Sequence, residues 1–283
     1  MLHGASSEFL AELEALGRDA TLLPDWPWRV RGTGVPCQPQ AYRIESTRVA
    51  VAQGVNALPK LLARDLDIRR NTNVLSLALD GGSLHVTSAA GTESARTVVL
   101  TCPVDQTRAL LQPLAAHCAE IRSILGLLAG VFTLPSLTVL AGYEPRRDDD
   151  WHLQLPGPDS ILHSVIHDSS KRPGPATVLV IQSRSSFSRP RLESDPASWS
   201  DQVLDAAADL LGPWVRNPTW VQNHRWRYAR VQRGHELAHP ILVTLPGGAR
   251  IGLCGDAFHP EGGVEGAFLS GVALGRRLSA IPV

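Results

Sequence analysis

A glycine-rich segment near the carboxyl end of the chain has the residue types of a ligand-binding turn. It reads Arg250-Ile-Gly-Leu-Cys-Gly-Asp-Ala-Phe258 and continues as His259-Pro-Glu-Gly-Gly-Val-Glu-Gly-Ala-Phe268. The pattern predicts a short apolar strand, an acidic turn, a glycine-rich loop and a helix that begins near Val264. Backbone N–H groups at such a helix start can bind an anion or a polarised carbonyl. Asp256, at the end of the strand, can accept hydrogen bonds from ligand hydroxyls.

Small side chains recur along the first turns of this expected helix. They are Gly266, Ala267, Ser270 and Gly271. Because small side chains allow a close approach to the helix backbone, we expect this helix to lie against a flat group.

Five further segments follow a recognisable order along the chain. They are Val51-Ala-Gln-Gly-Val-Asn-Ala-Leu-Pro-Lys-Leu-Leu62, Asp65-Leu-Asp-Ile-Arg-Arg-Asn-Thr-Asn-Val74, Thr97-Val-Val-Leu-Thr-Cys-Pro103, His167-Asp-Ser-Ser-Lys-Arg-Pro173 and His224-Arg-Trp-Arg-Tyr-Ala229. With the glycine-rich segment, they resemble the amine oxidase superfamily of flavoproteins, and most closely its renalase-like branch. The resemblance covers the chain from about residue 50 to its end.

The resemblance implies an FAD-dependent oxidoreductase that oxidises an amine or a dihydronicotinamide-type small molecule by hydride transfer to the flavin. It implies cofactor-binding roles for Gly255, Asp256, Gly263, Val264, Glu265 and Gly266, and for the backbone of Val74 beside the adenine. It implies substrate-side roles for Arg225, Trp226 and Tyr228. Neither the resemblance nor the residue pattern identifies a catalytic side chain.

The implied fold is α/β, with two lobes that are discontinuous in sequence. A Rossmann-like FAD/NAD(P)-binding lobe would comprise residues 51–108 and 246–283, and a mixed-sheet α+β substrate lobe would comprise residues 1–50 and 109–245. The active site of such a fold is expected between its lobes.

The phosphate-binding turn of this family, G-x-G-x-x-G, has no counterpart in residues 1–283. The nearest candidate, Gly32-Thr-Gly34-Val-Pro-Cys37, lacks the third glycine and has Pro36 where a helix should begin, so we interpret it as a turn.

We therefore expect an N-terminally incomplete cofactor lobe, with an upstream segment or a separate chain supplying the missing unit. We expect the absent strand to neighbour the final strand, Arg250 to Cys254, and the chain alone to be poorly soluble or partly open and to bind FAD weakly. The alternative is a flavin-free truncated or split-subunit binding domain of the same fold.

A formal zinc-hydrolase signature, His235-Glu-Leu-Ala-His239, occurs between Gly234 and Pro240. Zinc chemistry would need both histidines on one helical face. The flanking glycine and proline oppose a helix, so we predict no metal site here and rank the zinc hydrolase below the other two hypotheses.

Composition excludes several function classes. The chain has 283 residues, 43% of them hydrophobic, and a formal net charge of +0, so its overall charge favours neither nucleic acid nor a membrane surface. Four cysteines, Cys37, Cys102, Cys118 and Cys254, are far apart. Their spacing predicts neither a metal site nor a redox pair, and it fits a cytoplasmic protein. The expected partner is a small-molecule substrate.

Periodicity predicts the elements that would position these residues. Helices are expected at residues 7–16 (with Ser7 as N-cap), 56–64, 104–125 and 199–211, and strands at 73–79, 83–88, 97–101, 131–141, 161–167, 177–183 and 220–228. Alternation along the last strand would put Trp226 and Tyr228 on one face and Arg225 and Arg227 on the other. Trp226 then either packs in the core or belongs to a substrate pocket. His163 and His167, four residues apart, are expected on one strand face, and Asp148, Asp149 and Asp150 in a solvated loop.

Overall fold

A computed structural model describes residues 1–145, 150–174 and 176–281. Of the expected acidic loop, Asp148 and Asp149 lie outside the described residues. The chain forms two compact units, each built from two stretches of sequence. Unit 1 comprises Met1–Pro59 and Leu134–Ala229, and unit 2 comprises Lys60–Thr133 and Arg230–Val283.

Strands and helices are interspersed along the described part of the chain. The strands are β1 (Leu2–Gly4), β2 (Leu22–Pro24), β3 (Val30–Arg31), β4 (Thr47–Val51), β5 (Val74–Asp80), β6 (Ser83–Ser88), β7 (Gly91–Ala95), β8 (Thr97–Leu100), β9 (Thr133–Tyr143), β10 (Leu153–Gln154), β11 (Leu162–His167), β12 (Thr177–Ser183), β13 (Trp220–Val231), β14 (Ile241–Thr244) and β15 (Arg250–Leu253). The helices are α1 (Ser7–Asp19), α2 (Ala57–Leu62), α3 (Val104–Leu111), α4 (Ala119–Leu128), α5 (Ser185–Ser188), α6 (Pro196–Leu211) and α7 (Gly263–Ser279). Each helix and strand expected from periodicity has a counterpart among them.

Unit 1 is built on a six-stranded mixed sheet in the order β13-β9-β12-β11-β10-β3. One sheet face packs against α6, whose Trp199, Val203 and Ala207 recur every fourth residue and are fully buried. Helix α6 begins where Asp195 accepts a hydrogen bond from the N–H of Ala197. A smaller sheet, β1-β4-β2, completes this unit.

The N-cap of helix α1 lies one residue earlier than the sequence suggested. The side chain of Ser6, rather than that of Ser7, accepts a hydrogen bond from the N–H of Phe9 at 3.4 Å. Ser6 has extended backbone angles, as an N-cap residue requires, whereas Ser7 is already helical. The predicted cap at Ser7 is therefore wrong by one position.

Unit 2 contains a three-stranded sheet, β14-β15-β8, and the three-stranded meander β5-β6-β7. The β5–β6 turn is the predicted Asp80-Gly-Gly hairpin, with positive φ at both Gly81 and Gly82. The expected helix at 104–125 is divided into α3 and α4, because Pro113 falls within a 3-10 turn between them.

The position of the final strand corrects one expectation. Strand β15 pairs with β14 on one side, antiparallel, and with β8 on the other, parallel. It therefore has no open edge for an absent strand. Among the described residues, the two edge strands of this sheet are β14 and β8, and β8 is the edge strand that runs parallel to β15. On β8, Leu100 is buried whereas Val99 is 39% exposed.

The described part of the chain holds no helix that is both long enough and apolar enough to cross a membrane.

Candidate functional site

The turn from β15 into α7 is the centre of the candidate site in unit 2. After β15, Gly255 adopts φ 142°, and a short 3-10 turn follows at Asp256–Phe258. Gly262 and Gly263 then take φ values of 58° and 62° immediately before α7. Side chains rarely adopt these angles, so the local backbone requires glycine at these positions.

Ser270 holds this turn against α7. Its hydroxyl is fully buried, accepts a hydrogen bond from the N–H of Gly255 at 2.9 Å and lies 2.9 Å from the oxygen of the same residue. Gly266 approaches the same turn, since a Cβ built there would lie 3.3 Å from the Cβ of His259. Two of the small residues on α7 therefore serve packing within the unit. A Cβ built on Gly271, by contrast, meets no described atom within 4 Å.

The first turn of α7 presents backbone donors that no side chain caps, as far as the described residues go. The first intrahelical bond joins the N–H of Gly266 to the oxygen of Gly262 at 3.0 Å. The N–H groups of Gly263 and Val264 precede this bond, and Val264 is 43% exposed. Such a helix start carries partial positive charge and suits an anionic or carbonyl oxygen.

Asp256 lies at the end of β15, beside this helix start. Burial raises the pKa of its carboxyl group, and the charge of Glu236 raises it further. Hydrogen bonds from the N–H groups of Ala257 and of Asp256 itself act in the opposite direction and only partly compensate. A carboxyl group in this environment gains stability from additional hydrogen-bond donors, such as ligand hydroxyls.

The segment that carries the zinc signature forms one wall of the glycine-rich loop. The N–H of Leu237 donates to the oxygen of Ala257 at 2.7 Å, and Glu236 accepts from the N–H of Gly234 at 2.7 Å. A Cβ built on Gly262 would lie 3.5 Å from Oε1 of Glu236. Glu236 was missed as a site residue, because nothing in its local sequence indicates this long-range contact.

The two histidines of the signature are not on a helix. Residues 235–239 have no helical assignment, and Nδ1 of His235 contacts the oxygen of Gly130 at 3.1 Å. The ring of His235 packs edge-on against Phe132, with ring centroids 4.8 Å apart. No group of three possible metal-ligating side chains occurs among the described residues.

Val74 begins β5 in the meander of unit 2 and is partly exposed. The next residue, Leu75, is an extra residue in the ladder, since Val74 pairs with Ser88 and Ser76 with Thr87. The role of the Val74 backbone beside an adenine stays a prediction.

The three expected substrate-side residues lie on β13 in unit 1. Trp226 is 49% exposed and its ring lies 4.1 Å from that of His224, so it does not pack in the core. Arg225 donates to the oxygen of Ser194 at 2.7 Å, and Arg227 pairs with Glu193 at 2.5 Å. The two arginines are thus held by their own unit. Tyr228 is half-buried.

Three polar residues that the sequence analysis did not select share the opposite face of the unit 1 sheet from α6. Thr138 and Ser164 both pair with Gln182 across the strands, and Ser164 donates to Gln182 Oε1 at 2.9 Å. The hydroxyl of Thr138 is buried and has no partner in the part of the chain that the structure describes. Buried polar atoms normally have a partner, so this face can accept a polar ligand group.

The sequence identifies the family of the chain independently of this geometry. Residues 12–277 match the profile of the family described as flavin containing amine oxidoreductase. The chain belongs to this family. The expected membership of the amine oxidase superfamily and the expected α/β fold class are confirmed.

Solved structures with the same fold include a protein assigned as a protoporphyrinogen oxidase from Exiguobacterium sp. 255-15. It has 17% sequence identity to this chain and a TM-score of 0.61, with 83% of this chain and 53% of that chain covered. Putrescine oxidase bound to putrescine has 16% identity and a TM-score of 0.58, with coverage of 85% and 56%. Cyclohexylamine oxidase from Brevibacterium oxydans IH-35A has 15% identity and a TM-score of 0.53, with coverage of 79% and 52%.

The chain spans about half the length of the solved structures that it matches. No curated protein sequence matches it significantly.

Proposed function

We propose that this chain is part of an FAD-dependent oxidoreductase of the renalase-like type, which oxidises an amine or a dihydronicotinamide-type small molecule by hydride transfer to flavin. The observation that carries the proposal is the uncapped start of α7 directly after Asp256 and two glycines of positive φ. This arrangement lies within a chain of the amine oxidoreductase family.

The residues present fit a flavin dinucleotide. The N–H groups of Gly263 and Val264 can hold negative charge on the ring or a phosphate oxygen, and Asp256 can accept hydrogen bonds from ribityl or ribose hydroxyls. When bound, FAD would accept the hydride and pass electrons to dioxygen or another acceptor. The chain would supply binding, orientation and a fixed positive field at the helix start.

The substrate side is proposed at β13 and the polar face of the unit 1 sheet. Trp226 offers an exposed aromatic surface, which attracts a cationic amine or stacks on a nicotinamide ring. Thr138, Ser164 and Gln182 offer hydrogen-bonding groups. The proposed substrate is a small molecule.

The open edge of β8 supports a further part of the proposal. A parallel strand from an upstream segment or a separate chain could pair with β8 and bring the G-x-G-x-x-G turn that residues 1–283 do not contain. If the chain is instead a flavin-free binding domain, the open edge of β8 would be available for pairing with a strand of its partner.

The decisive experiment is to incubate the purified chain with FAD, remove free cofactor by gel filtration and record the visible flavin absorbance. An aliphatic amine and a dihydronicotinamide are then added separately without dioxygen. Loss of the flavin absorbance with one of them identifies the substrate class. Retained flavin that neither compound bleaches would contradict the proposed reaction, and a chain that never retains flavin, even with the G-x-G-x-x-G segment supplied, would favour the flavin-free alternative.

A further inference from the structure

The structure brings one cysteine and one histidine into direct contact although they are 126 residues apart in sequence. The Sγ atom of Cys37 contacts Nε2 of His163 in unit 1. The spacing of the cysteines predicted neither a metal site nor a redox pair, because a spacing rule detects only partners that are close in sequence.

The backbone on both sides aims these side chains at each other. Strand β11 carries a bulge, since Leu162 pairs with Ser183 and Ser164 pairs with the adjacent Gln182. His163 is thus the extra residue, and a bulge of this kind redirects a side chain. It also breaks the alternation that would have put His163 and His167 on one strand face, so that expectation does not hold.

The segment before Cys37 is fixed against β10 and the residues that follow it. The N–H of Gly34 donates to the oxygen of Leu155 at 2.9 Å. A Cβ on Gly32 would lie 2.2 Å from the same oxygen, and one on Gly34 would lie 2.3 Å from the oxygen of Pro156. The glycines of the Gly32-Thr-Gly34 turn therefore permit a close approach that holds the chain leading to Cys37 in place.

Cys37 differs in its surroundings from the other three cysteines. It is exposed, whereas Cys102 is half-buried and Cys118 and Cys254 are buried. Burial raises the pKa of both buried thiols, and Cys118 also donates a hydrogen bond to Glu120 at 3.0 Å. Those thiols are held in their unreactive protonated form.

Other polar and charged groups surround the pair. Tyr42 has a buried hydroxyl without a partner among the described residues, and its pKa is raised by burial and by the charge of Cys37 but lowered by Arg48. The guanidinium of Arg48 lies 4.7 Å from the centre of the Tyr42 ring. Gln38, next to Cys37, bonds to the ring of His3 at 2.8 Å. The charge of Cys37 acts on Tyr42, and a hydroxyl that keeps its proton favours an anionic sulfur nearby.

We propose that Cys37 and His163 form a nucleophilic thiol site that takes a small disulfide and becomes a mixed disulfide. Nε2 of His163 accepts the proton of the Cys37 thiol. The thiolate attacks one sulfur of the small disulfide, a new S–S bond forms, the old S–S bond breaks, and the second half leaves as a thiolate that takes up a proton. Cys37 is thereby oxidised and the leaving half of the disulfide is reduced.

The test is the reaction of the full chain with dithionitrobenzoate, followed by the absorbance of the released thiolate and by peptide mass mapping. In the wild-type chain, Cys37 should react at least about ten-fold faster than Cys102 near pH 6. Its rate should fall less than about three-fold between pH 8 and pH 6, whereas an unassisted thiol slows about ten-fold per pH unit. Cys37→Ser should abolish the fast phase, and Cys102→Ser should retain it.

His163→Asn separates a chemical role for the imidazole from a structural one. The variant should slow Cys37 at least about ten-fold near pH 6 but by less than about two-fold at pH 10, where the thiol ionises without assistance. His85→Asn, on a different sheet, is the matched control and should change nothing. Should His163→Asn fail to fold, the wild-type pH dependence decides alone: a Cys37 rate that follows the unassisted thiol, or modification of Cys102 first, overturns the proposal.

Discussion

In the folded chain, the surroundings of Asp256 disfavour the charged form of its carboxyl group, although the position of that group suits a ligand. Burial and the carboxylate of Glu236 raise its pKa, and the two backbone N–H groups that bond to it do not fully offset them. A residue kept at a cost in stability is typical of a binding site. Binding and stability should therefore respond to Asp256 in opposite directions.

The first prediction concerns binding. Replacing Asp256 by Ala removes hydrogen bonds to a charged acceptor, which are worth about 1.5–3 kcal/mol, so FAD affinity should fall about 10- to 100-fold. Equilibrium titration followed by flavin fluorescence measures the change. Asp65→Ala, an exposed carboxylate in the same unit, is the control and should bind as the wild type does. Unchanged affinity in Asp256→Ala would remove Asp256 from the site.

The second prediction concerns pH. Because the folded pKa lies above the ordinary value of 3.8, the folded chain binds more protons than the unfolded chain between these two values. The contribution of Asp256 to the free energy of unfolding is therefore lost as the pH rises from 3.8 to the pKa of the folded chain. The loss is about 1.4 kcal/mol for each unit by which the folded and unfolded pKa values differ. Asp256→Asn should raise the Tm of the flavin-free chain near pH 7 by a few degrees, roughly, and the gain should vanish below about pH 4. A variant less stable than the wild type near neutral pH would contradict this.

The third prediction concerns the two histidines of the zinc signature. His239 is exposed and His235 is tied to Gly130 and Phe132 rather than to a helix. Replacing either by Ala should leave flavin retention and any oxidase activity within about two-fold of the wild type, since neither side chain has the helical geometry of a zinc ligand. Elemental analysis should find far less than one zinc per chain. A peptidase activity lost in both variants would reverse the ranking of the hypotheses.

Local patterns predicted elements well and failed where a distant partner decides the structure. The hairpin at Gly81 and Gly82 and the start of α7 follow from turn and helix signals a few residues long. The bulge at His163 and the pairing of β15 with β14 depend on residues far away in sequence. Periodicity holds no information about such partners, so the expectation that an absent strand would neighbour β15 was wrong.

The fourth prediction tests how α7 packs on the sheet. A Cβ on Gly252 would lie 2.9 Å from Cδ2 of Leu274 and 3.3 Å from Cγ2 of Val99. Gly252→Ala should therefore destabilise the chain by about 1–3 kcal/mol through overpacking. Gly275→Ala, on α7 itself with no described atom within 4 Å of the new Cβ, should instead stabilise it by about 0.5–1 kcal/mol. Urea unfolding measures both, and equal effects of the two variants would argue against this packing.

At the scale of the whole molecule, the division into two compact units was only partly predictable from the sequence. The resemblance implied two discontinuous lobes, and the contacts define two discontinuous units, in which residues 109–133 and 230–245 belong with the glycine-rich segment. The chain passes between the units within α2, β9 and β13. No composition change or linker marks a crossing inside a helix or a strand, so unit boundaries of this kind cannot be read from the sequence. The assignment of a cofactor role to one unit and a substrate role to the other stays a prediction.

The last prediction concerns the open edge of β8. An edge strand exposes N–H and C=O groups that pair readily with another strand, and Val99 adds an exposed apolar side chain. If these groups become buried without partners, each costs about 1–3 kcal/mol, a large part of a typical stability of about 5–15 kcal/mol. We expect the 283-residue chain alone to tend to associate and to bind FAD weakly. Supplying a strand–G-x-G-x-x-G–helix segment, fused upstream or as a second chain, should raise both its melting temperature and its flavin occupancy.

Hydrogen exchange can locate the new contact in that experiment. The added segment should protect the amides of β8 and leave those of β15 nearly unchanged, because β15 already has a partner on each side. A segment whose three glycines are replaced by valine serves as the control, since it can pair as a strand but cannot form the phosphate-binding turn. We expect the control segment to protect β8 without binding flavin, and the intact segment to do both. This result would separate strand pairing from cofactor binding. Tight FAD binding by a monodisperse preparation of the chain alone would show that the β8 edge needs no partner for this function.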